Sequence, residues 1–220
     1  MVSTLSEPQN CVTDAWVKAT WDEFLVLADK SEYEQSRFYY DSGLVRIETM
    51  PVGSGHSQDN TILAQTVSLY GTVKNIRLKG FINGSFRKQG IRECQPDLAF
   101  YIGDDFQMPP KTSQPVDVDV FGAPHLAIEI ASTTLNDDLG RKRLLYERLG
   151  VGEYWVVDVE AGEVIAFAVF DGGSRQIQTS NVLPELQIAT IEAALKRSQT
   201  EDDGTINRWL LETFGALGQQ

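Results

Sequence analysis

The chain of 220 residues carries a net charge of −12 and is 42% hydrophobic, which suits one globular domain with a full core. Its strong acidity argues against proteins that bind nucleic acids through a broadly basic surface. No run approaches the roughly 20 apolar residues that span a bilayer, so we expect no membrane partner. Cys11 and Cys94 are too few for a disulfide framework and suit structural thiols in a cytoplasmic protein.

The first half of the chain predicts two helices, a hairpin and short strands. After an N-terminal extension over 1–19, Thr20 and Glu23 have the spacing of a capping box at the start of a short helix. Runs over 37–40 and 44–49 flank a turn that contains Gly43, which indicates a β-hairpin. Further predictions are a helix from near His56 to about Lys74, strands over 76–78, 80–86 and 96–101, and a proline-rich loop over 103–116.

The segment 124–158 predicts a strand, a helix and a second strand. Leu126, Ile128 and Ile130 alternate with small residues and Glu129, as in a β-strand. A helix over 137–149 ends at Gly150, and 154–159 is rich in β-forming residues. Strands joined by such a crossover are expected to be parallel. A strand over 163–170 and helices over 190–197 and 206–214 follow.

A basic strip interrupts the acidic sequence between 71 and 93, where six basic residues accompany a single acidic residue. The six are Lys74, Arg77, Lys79, Arg87, Lys88 and Arg92. They could contact nucleic-acid phosphates. They could equally form a solvated hairpin that only keeps the protein soluble, and the pattern leaves both interpretations open.

Three charged residues stand at apolar positions. Asp97 begins a predicted strand, and Glu129 lies within another strand on the face opposite Ile128 and Ile130. A carboxylate in so apolar a strand is costly unless it is paired or binds a metal. Lys142 falls on the helical stripe that faces the sheet, where a lysine requires an acidic partner.

Two carboxylates and an inward lysine suffice for phosphodiester hydrolysis. Oxygen ligands hold Mg²⁺, the metal polarises the phosphate, and the lysine orients or deprotonates the attacking water. The spacing alone equally permits a buried Glu129–Lys142 ion pair with Asp97 merely starting a strand.

Several short motifs together resemble the Uma2 family of restriction-endonuclease-like proteins, which is abundant in cyanobacteria. The matching positions are Pro96-Asp97, Pro124, Ala127-Ile128-Glu129-Ile130, Ser132, Asp138-Leu139-Gly140-Arg141-Lys142, Tyr146 and the run from Gly150 to Asp158. The resemblance extends from about Thr20 to Pro184. It implies a PD-(D/E)XK nuclease domain over 20–190, a mixed α/β fold with a central mixed sheet flanked by helices. The C-terminal helical segment 191–220 is expected to pack on the same domain.

The resemblance also implies a site. Asp97 and Glu129 would bind Mg²⁺ or Mn²⁺, with the backbone carbonyl of Ile130 completing the shell. The usual lysine two positions after the acid is replaced by Ala131, and Lys142 from the following helix would supply it. His56 matches a family histidine that follows a Met-Pro segment, and it could contact a phosphate or water or serve only as a helix-start residue.

Three functions fit these residues. The first is a metal-dependent endonuclease acting on DNA, for which a homodimer would suit palindromic targets. The second is a catalytically inactive nuclease fold that serves as a binding or regulatory module, which the acidic charge favours. The third is a metallohydrolase of smaller phosphoesters, against which the basic strip argues.

Overall fold

Two six-stranded sheets organise the protein in a computed structural model that describes residues 13–49, 53–171 and 173–216. The strands are β1 (Val17–Lys18), β2 (Arg37–Asp41), β3 (Leu44–Glu48), β4 (Leu78–Ile82), β5 (Phe86–Lys88), β6 (Arg92–Cys94), β7 (Leu98–Ile102), β8 (Val116–Asp117), β9 (Leu126–Ala131), β10 (Glu153–Asp158), β11 (Glu163–Phe170) and β12 (Gly173–Ile177). The first sheet has the order β1-β3-β2-β6-β5-β8, and the second has the order β12-β11-β10-β9-β7-β4. Both mix parallel and antiparallel pairs, so the mixed α/β prediction is confirmed, although the sequence predicted only one sheet.

Helices flank these sheets. They are α1 (Trp21–Ala28), α2 (Ser54–Val73), α3 (Val118–Phe121), α4 (Leu135–Asp137), α5 (Arg143–Leu149), α6 (Ile188–Ser198) and α7 (Asp203–Ala216), with a 3₁₀ turn at Ser31–Tyr33 and a π-helical turn at Asp138–Lys142. The predicted capping box is confirmed, because the Glu23 amide donates to Thr20 Oγ1 and the Thr20 amide donates to the Glu23 carboxylate. Among the described residues, no helix is long and apolar enough to cross a membrane.

The β2–β3 hairpin lies at the centre of the first sheet. Ser42 and Gly43 form its turn with φ values of 49° and 96°, which a tight two-residue hairpin turn requires. The strands pair antiparallel, with Tyr40 opposite Val45, so the predicted hairpin is confirmed. Its outer neighbours in the sheet are β1 and β6, and both of its strands are largely buried.

The second sheet is covered on both faces. The predicted parallel pairing of the two strands that flank the 135–149 helical segment is confirmed, with Ile130 of β9 opposite Val157 of β10. One face packs against α2, α6 and α7 through residues such as Val67 and Phe214. The other face packs against α5 and aromatic residues of the first sheet, including Tyr39. A carboxylate on β9 is therefore buried whichever face it occupies.

Some predicted boundaries are wrong. The predicted strands 76–78 and 80–86 are replaced by β4, β5 and β6, with the break at Asn83, whose φ is 52°. Asn and Gly favour such turns, and Asn83-Gly84 supplied that signal. The predicted helix 137–149 is interrupted by the π-helical turn. The polar strand β12 was not predicted.

The proposed domain boundaries at residues 19 and 190 stay predictions. The described part of the N-terminal extension contributes β1, and Ala19 is buried against α1. The helices α6 and α7 pack on α2. Cys94 is a buried free thiol, whereas Cys11 and the Met-Pro segment before His56 lie outside the described residues.

Candidate metal and nuclease site

Asp97 and Glu129 lie on the same side of the second sheet. Leu98 of β7 stands opposite Ile128 of β9 in an antiparallel pair, and continuing that register by one residue puts Asp97 opposite Glu129. Directly opposed residues of an antiparallel pair point to the same face. Both side chains, together with Ile130, line a pocket of about 140 Å³, so two predicted ligands from distant parts of the chain share one cavity.

Two side chains and one backbone amide contact the Asp97 carboxylate. Arg37 and His56 contact Oδ1 at 2.5 and 2.8 Å, and the Ile130 amide donates to Oδ2 at 2.8 Å. Burial acts to raise the pKa of Asp97, but the His56 hydrogen bond and the Arg37 charge outweigh burial and lower this pKa to about 2. Asp97 is therefore an ionised carboxylate at neutral pH.

Glu129 is as fully buried as Asp97 but has fewer cations beside it. The hydroxyl groups of Tyr39 and Tyr146 donate to its Oε1 at 3.0 and 2.7 Å. Burial raises the pKa of Glu129 to about 8, against the opposing charge of Lys142. These contacts all go to Oε1, so among the described residues Oε2 has no hydrogen-bond partner and is left for a ligand in the pocket that Glu129 lines.

Lys142 binds other carboxylates more closely than Glu129. Its Nζ lies 2.8 Å from Glu48 and 2.9 Å from Asp138, but 3.9 Å from Glu129. Burial alone would lower the pKa of Lys142, but Glu129, Asp138 and Glu48 together raise it above its usual value. Lys142 is thus a buried ammonium ion, 4.3 Å from the Tyr39 ring centre, and it suits the orientation of an anion or water better than the removal of a proton.

The π-helical turn positions both Asp138 and Lys142 inward. Thr134 Oγ1 donates to Asp138 Oδ2 at 2.5 Å, and the Tyr154 hydroxyl donates to the Asp138 backbone carbonyl at 3.0 Å. Both charged side chains are almost fully buried. An acidic residue in a first helical turn can simply stabilise the helix dipole. Asp138 is buried and contacts Lys142, so it also pairs with the lysine charge.

Sequence reasoning missed the contribution of the hairpin. Arg37 and Tyr39 of β2 and Glu48 of β3 each contact a predicted site residue. Charged residues within a largely apolar hairpin were the available signal. Tyr146, one of the positions that resemble the Uma2 family, is fully buried, and its hydroxyl group donates to Glu129.

The six basic residues of the strip are spread over several elements: the end of α2 and the turn after it, β4 of the second sheet, and β5 and β6 of the first sheet. Arg87 pairs with Glu93, and Arg92 pairs with Asp41. Lys74 and Lys88 lie near Glu185 and Asp119, respectively, and Arg77 donates to the backbone carbonyls of Asp104 and Phe106. Lys79 forms no salt bridge with a described residue. Most of the strip is therefore committed to contacts within the protein.

The donor set has the chemistry that Mg²⁺ and Mn²⁺ prefer. Two carboxylates and a backbone carbonyl are hard oxygen ligands. Within the described ranges, no group of three or more His, Cys, Asp or Glu side chains is arranged to hold a metal ion. A cation at Asp97 and Glu129 would therefore depend on the Ile130 carbonyl, water or substrate oxygens for its remaining ligands. Mg²⁺ commonly binds with few protein carboxylates and several waters.

The chain is similar to a known protein family and to a solved structure. The family model Uma2, described as "Putative restriction endonuclease", matches residues 21–203. A crystal structure of a protein described as a putative nuclease belonging to DUF820, from Anabaena variabilis ATCC 29413, is similar with a TM-score of 0.55 and 19% identity. The similarity covers 80% of this chain and 99% of that one, and it shows a shared fold. No curated protein matches the chain. The chain belongs to the Uma2 family.

Proposed function

We propose that the protein is a metal-dependent endonuclease that hydrolyses phosphodiester bonds of DNA. The observation that carries the proposal is the convergence of Asp97, Glu129 and Lys142 on one pocket. Membership in a family described as "Putative restriction endonuclease" supports a nuclease activity. A cytoplasmic location and a homodimer stay predictions.

In this proposal Asp97, Glu129 and the Ile130 carbonyl would hold Mg²⁺ or Mn²⁺. The ion supplies charge stabilisation to the phosphate oxygens and lowers the pKa of a bound water. The ionised state of Asp97 and the uncommitted Oε2 of Glu129 favour binding of a cation. Because burial favours protonated Glu129, a divalent ion would displace its proton.

Lys142 and His56 would act on the reacting groups. Since Lys142 is protonated and lines the pocket, it would orient the attacking water or neutralise charge on the phosphate. His56 reaches the same pocket beside Asp97 and would contact a phosphate oxygen or water. Arg37 lies closer to Asp97 than His56 does, and Arg37 and His56 together would set the orientation of the Asp97 carboxylate.

The test is cleavage of supercoiled plasmid DNA in Mg²⁺ or Mn²⁺. We expect the wild type to cut, and Asp97→Asn, Glu129→Gln and Lys142→Ala to lose activity. The matched control is Glu163→Gln, which neutralises an exposed carboxylate on β11 and should cut like the wild type. Equal cutting by the wild type and Glu129→Gln would indicate a contaminating nuclease and overturn the proposal.

One observation favours a second candidate, an inactive nuclease fold that serves as a binding module. Both oxygens of Asp97 are already engaged by Arg37, His56 and the Ile130 amide, so a metal must compete with existing partners. This candidate predicts no cleavage and no stabilisation by Mg²⁺ or Mn²⁺. Metal-dependent stabilisation of the wild type that Asp97→Asn abolishes would exclude it.

A further inference from the structure

A larger groove lies beside the catalytic pocket. It has a volume of about 820 Å³ and runs between the β4–β5 connection and the proline-rich loop 109–116. Clefts that bind ligands commonly have volumes of roughly 300–1,000 Å³. Pro109, Pro110 and Pro115 form part of one wall, and their fixed φ angles limit the backbone freedom of that wall.

The charge of the groove is opposite to that of the protein. Lys79 and Lys111 line it, and none of the described residues that line it is acidic. Neither lysine forms a salt bridge with the described part of the chain, whereas Arg87 and Arg92 are paired with carboxylates. In a protein with a net charge of −12, these two ammonium groups are available to a polyanion.

Asn83 connects the groove to the candidate catalytic pocket. It lines the groove, and its Oδ1 accepts a hydrogen bond from Arg37 at 2.6 Å. Arg37 lines the catalytic pocket and contacts Asp97 at 2.5 Å. The backbone N–H of Asn83 also donates to the backbone carbonyl of Asp97 at 3.0 Å. One end of the groove therefore lies next to the first predicted metal ligand.

We propose that this groove binds the nucleic-acid strand that extends from the scissile phosphate, with Lys79 and Lys111 contacting its phosphates. The inference rests on the proposed function, because it takes the reacting phosphate to lie at Asp97 and Glu129. Ser85, Thr112 and Gln114 add side-chain groups that can donate hydrogen bonds to phosphate oxygens. The groove recognises the backbone rather than the bases, so binding depends weakly on sequence and strongly on salt.

Binding can be measured without cleavage. The full chain carrying Glu129→Gln is titrated against a fluorescein-labelled single-stranded DNA oligonucleotide, and anisotropy gives Kd over a series of KCl concentrations. The test variant adds Lys79→Ala and Lys111→Ala. The matched control adds Lys18→Ala and Lys196→Ala, which remove the same charge from exposed lysines outside the groove.

Loss of the two groove lysines should reduce the slope of log Kd against log salt by about 1.4, since each contact with a single strand contributes about 0.7. Kd at low salt should rise by up to about tenfold. The control should keep the original slope, because its lysines do not contact the strand.

The outcomes separate the groove from the nuclease activity. No binding by the Glu129→Gln protein, or equal slopes in the test and control variants, would overturn the groove proposal even if the wild type cuts DNA. A lower slope in the test variant alone supports the groove, even if the wild type fails to cut and the proposed activity is wrong.

Discussion

Glu129→Gln should stabilise the fold in metal-free buffer while removing activity. The Glu129 carboxyl has a pKa of about 8 in the folded protein and about 4.3 in an unfolded chain. At pH 7 the folded protein therefore keeps this carboxyl largely protonated, whereas the unfolded chain ionises it. This difference favours unfolding by roughly 4 kcal/mol, at 1.36 kcal/mol for each pH unit between about 4.3 and 7. The amide has no such cost, and its oxygen can still accept from Tyr39 and Tyr146.

Part of this gain is offset. The new NH₂ group takes the place of Oε2 beside the pocket, and an imperfectly paired polar group costs about 1–3 kcal/mol. Lys142 keeps Glu48 and Asp138 as partners, so its charge stays compensated. We expect a net increase of about 1–3 kcal/mol in the free energy of unfolding at pH 7.

The pH dependence identifies the cause. A carboxyl whose folded pKa is raised contributes stability below its unfolded pKa of about 4.3, and loses that contribution as pH rises toward 8. The advantage of Glu129→Gln should therefore be small near pH 5 and increase up to pH 8. Urea unfolding followed by circular dichroism, in EDTA at several pH values, measures this difference.

A loss of more than about 1 kcal/mol in Glu129→Gln at every pH would refute this reasoning. It would mean that Glu129 is a structural partner of Lys142 rather than a poorly solvated ligand. The control is Glu163→Gln, which neutralises an exposed carboxylate and should change stability by less than about 0.5 kcal/mol.

Three further predictions concern the same site and its support. Lys142→Met should cost about 3–5 kcal/mol in urea unfolding at pH 7, because three buried carboxylates lose their ammonium; an unchanged midpoint would contradict this. Saturating Mn²⁺, at about 100 times its Kd, should stabilise the wild type by about 2.7 kcal/mol and leave Asp97→Asn unchanged in a thermal melt. Gly152→Ala should destabilise by about 1–3 kcal/mol, since its Cβ would lie 2.8 Å from the His125 carbonyl oxygen, and an equal melting temperature would count against that packing.

Local patterns in the sequence predicted the framework of the site. The alternation around Glu129 and the helical stripe through Lys142 correctly predicted a buried strand and a buried lysine. The parallel pairing of β9 and β10 followed from the helical crossover between them. These features depend on residues that are near one another in the chain, so periodicity was sufficient to reveal them.

The partners of Lys142 could not be predicted in the same way. Glu48 reaches it from the hairpin of the first sheet, and the packing of one sheet against another leaves no local pattern. The pairing of Arg37 with Asp97 could not be predicted for the same reason, because Arg37 also lies on the hairpin of the first sheet. The sequence therefore predicted that Glu129 and Lys142 are buried, but it did not predict the buried partners that pair with Lys142 and Asp97.

The π-helical turn bears on how relatives are compared. Such a turn accommodates one more residue than the regular helix around it, and Gly140 lies at its centre. In a relative that lacks this residue, the segment would form an uninterrupted helix. The residues before the deletion would then be rotated about the helix axis by roughly 100° relative to their positions in this protein. Its counterpart of Asp138 would then leave the buried side, so an alignment that ignores the extra residue would match side chains that point in different directions.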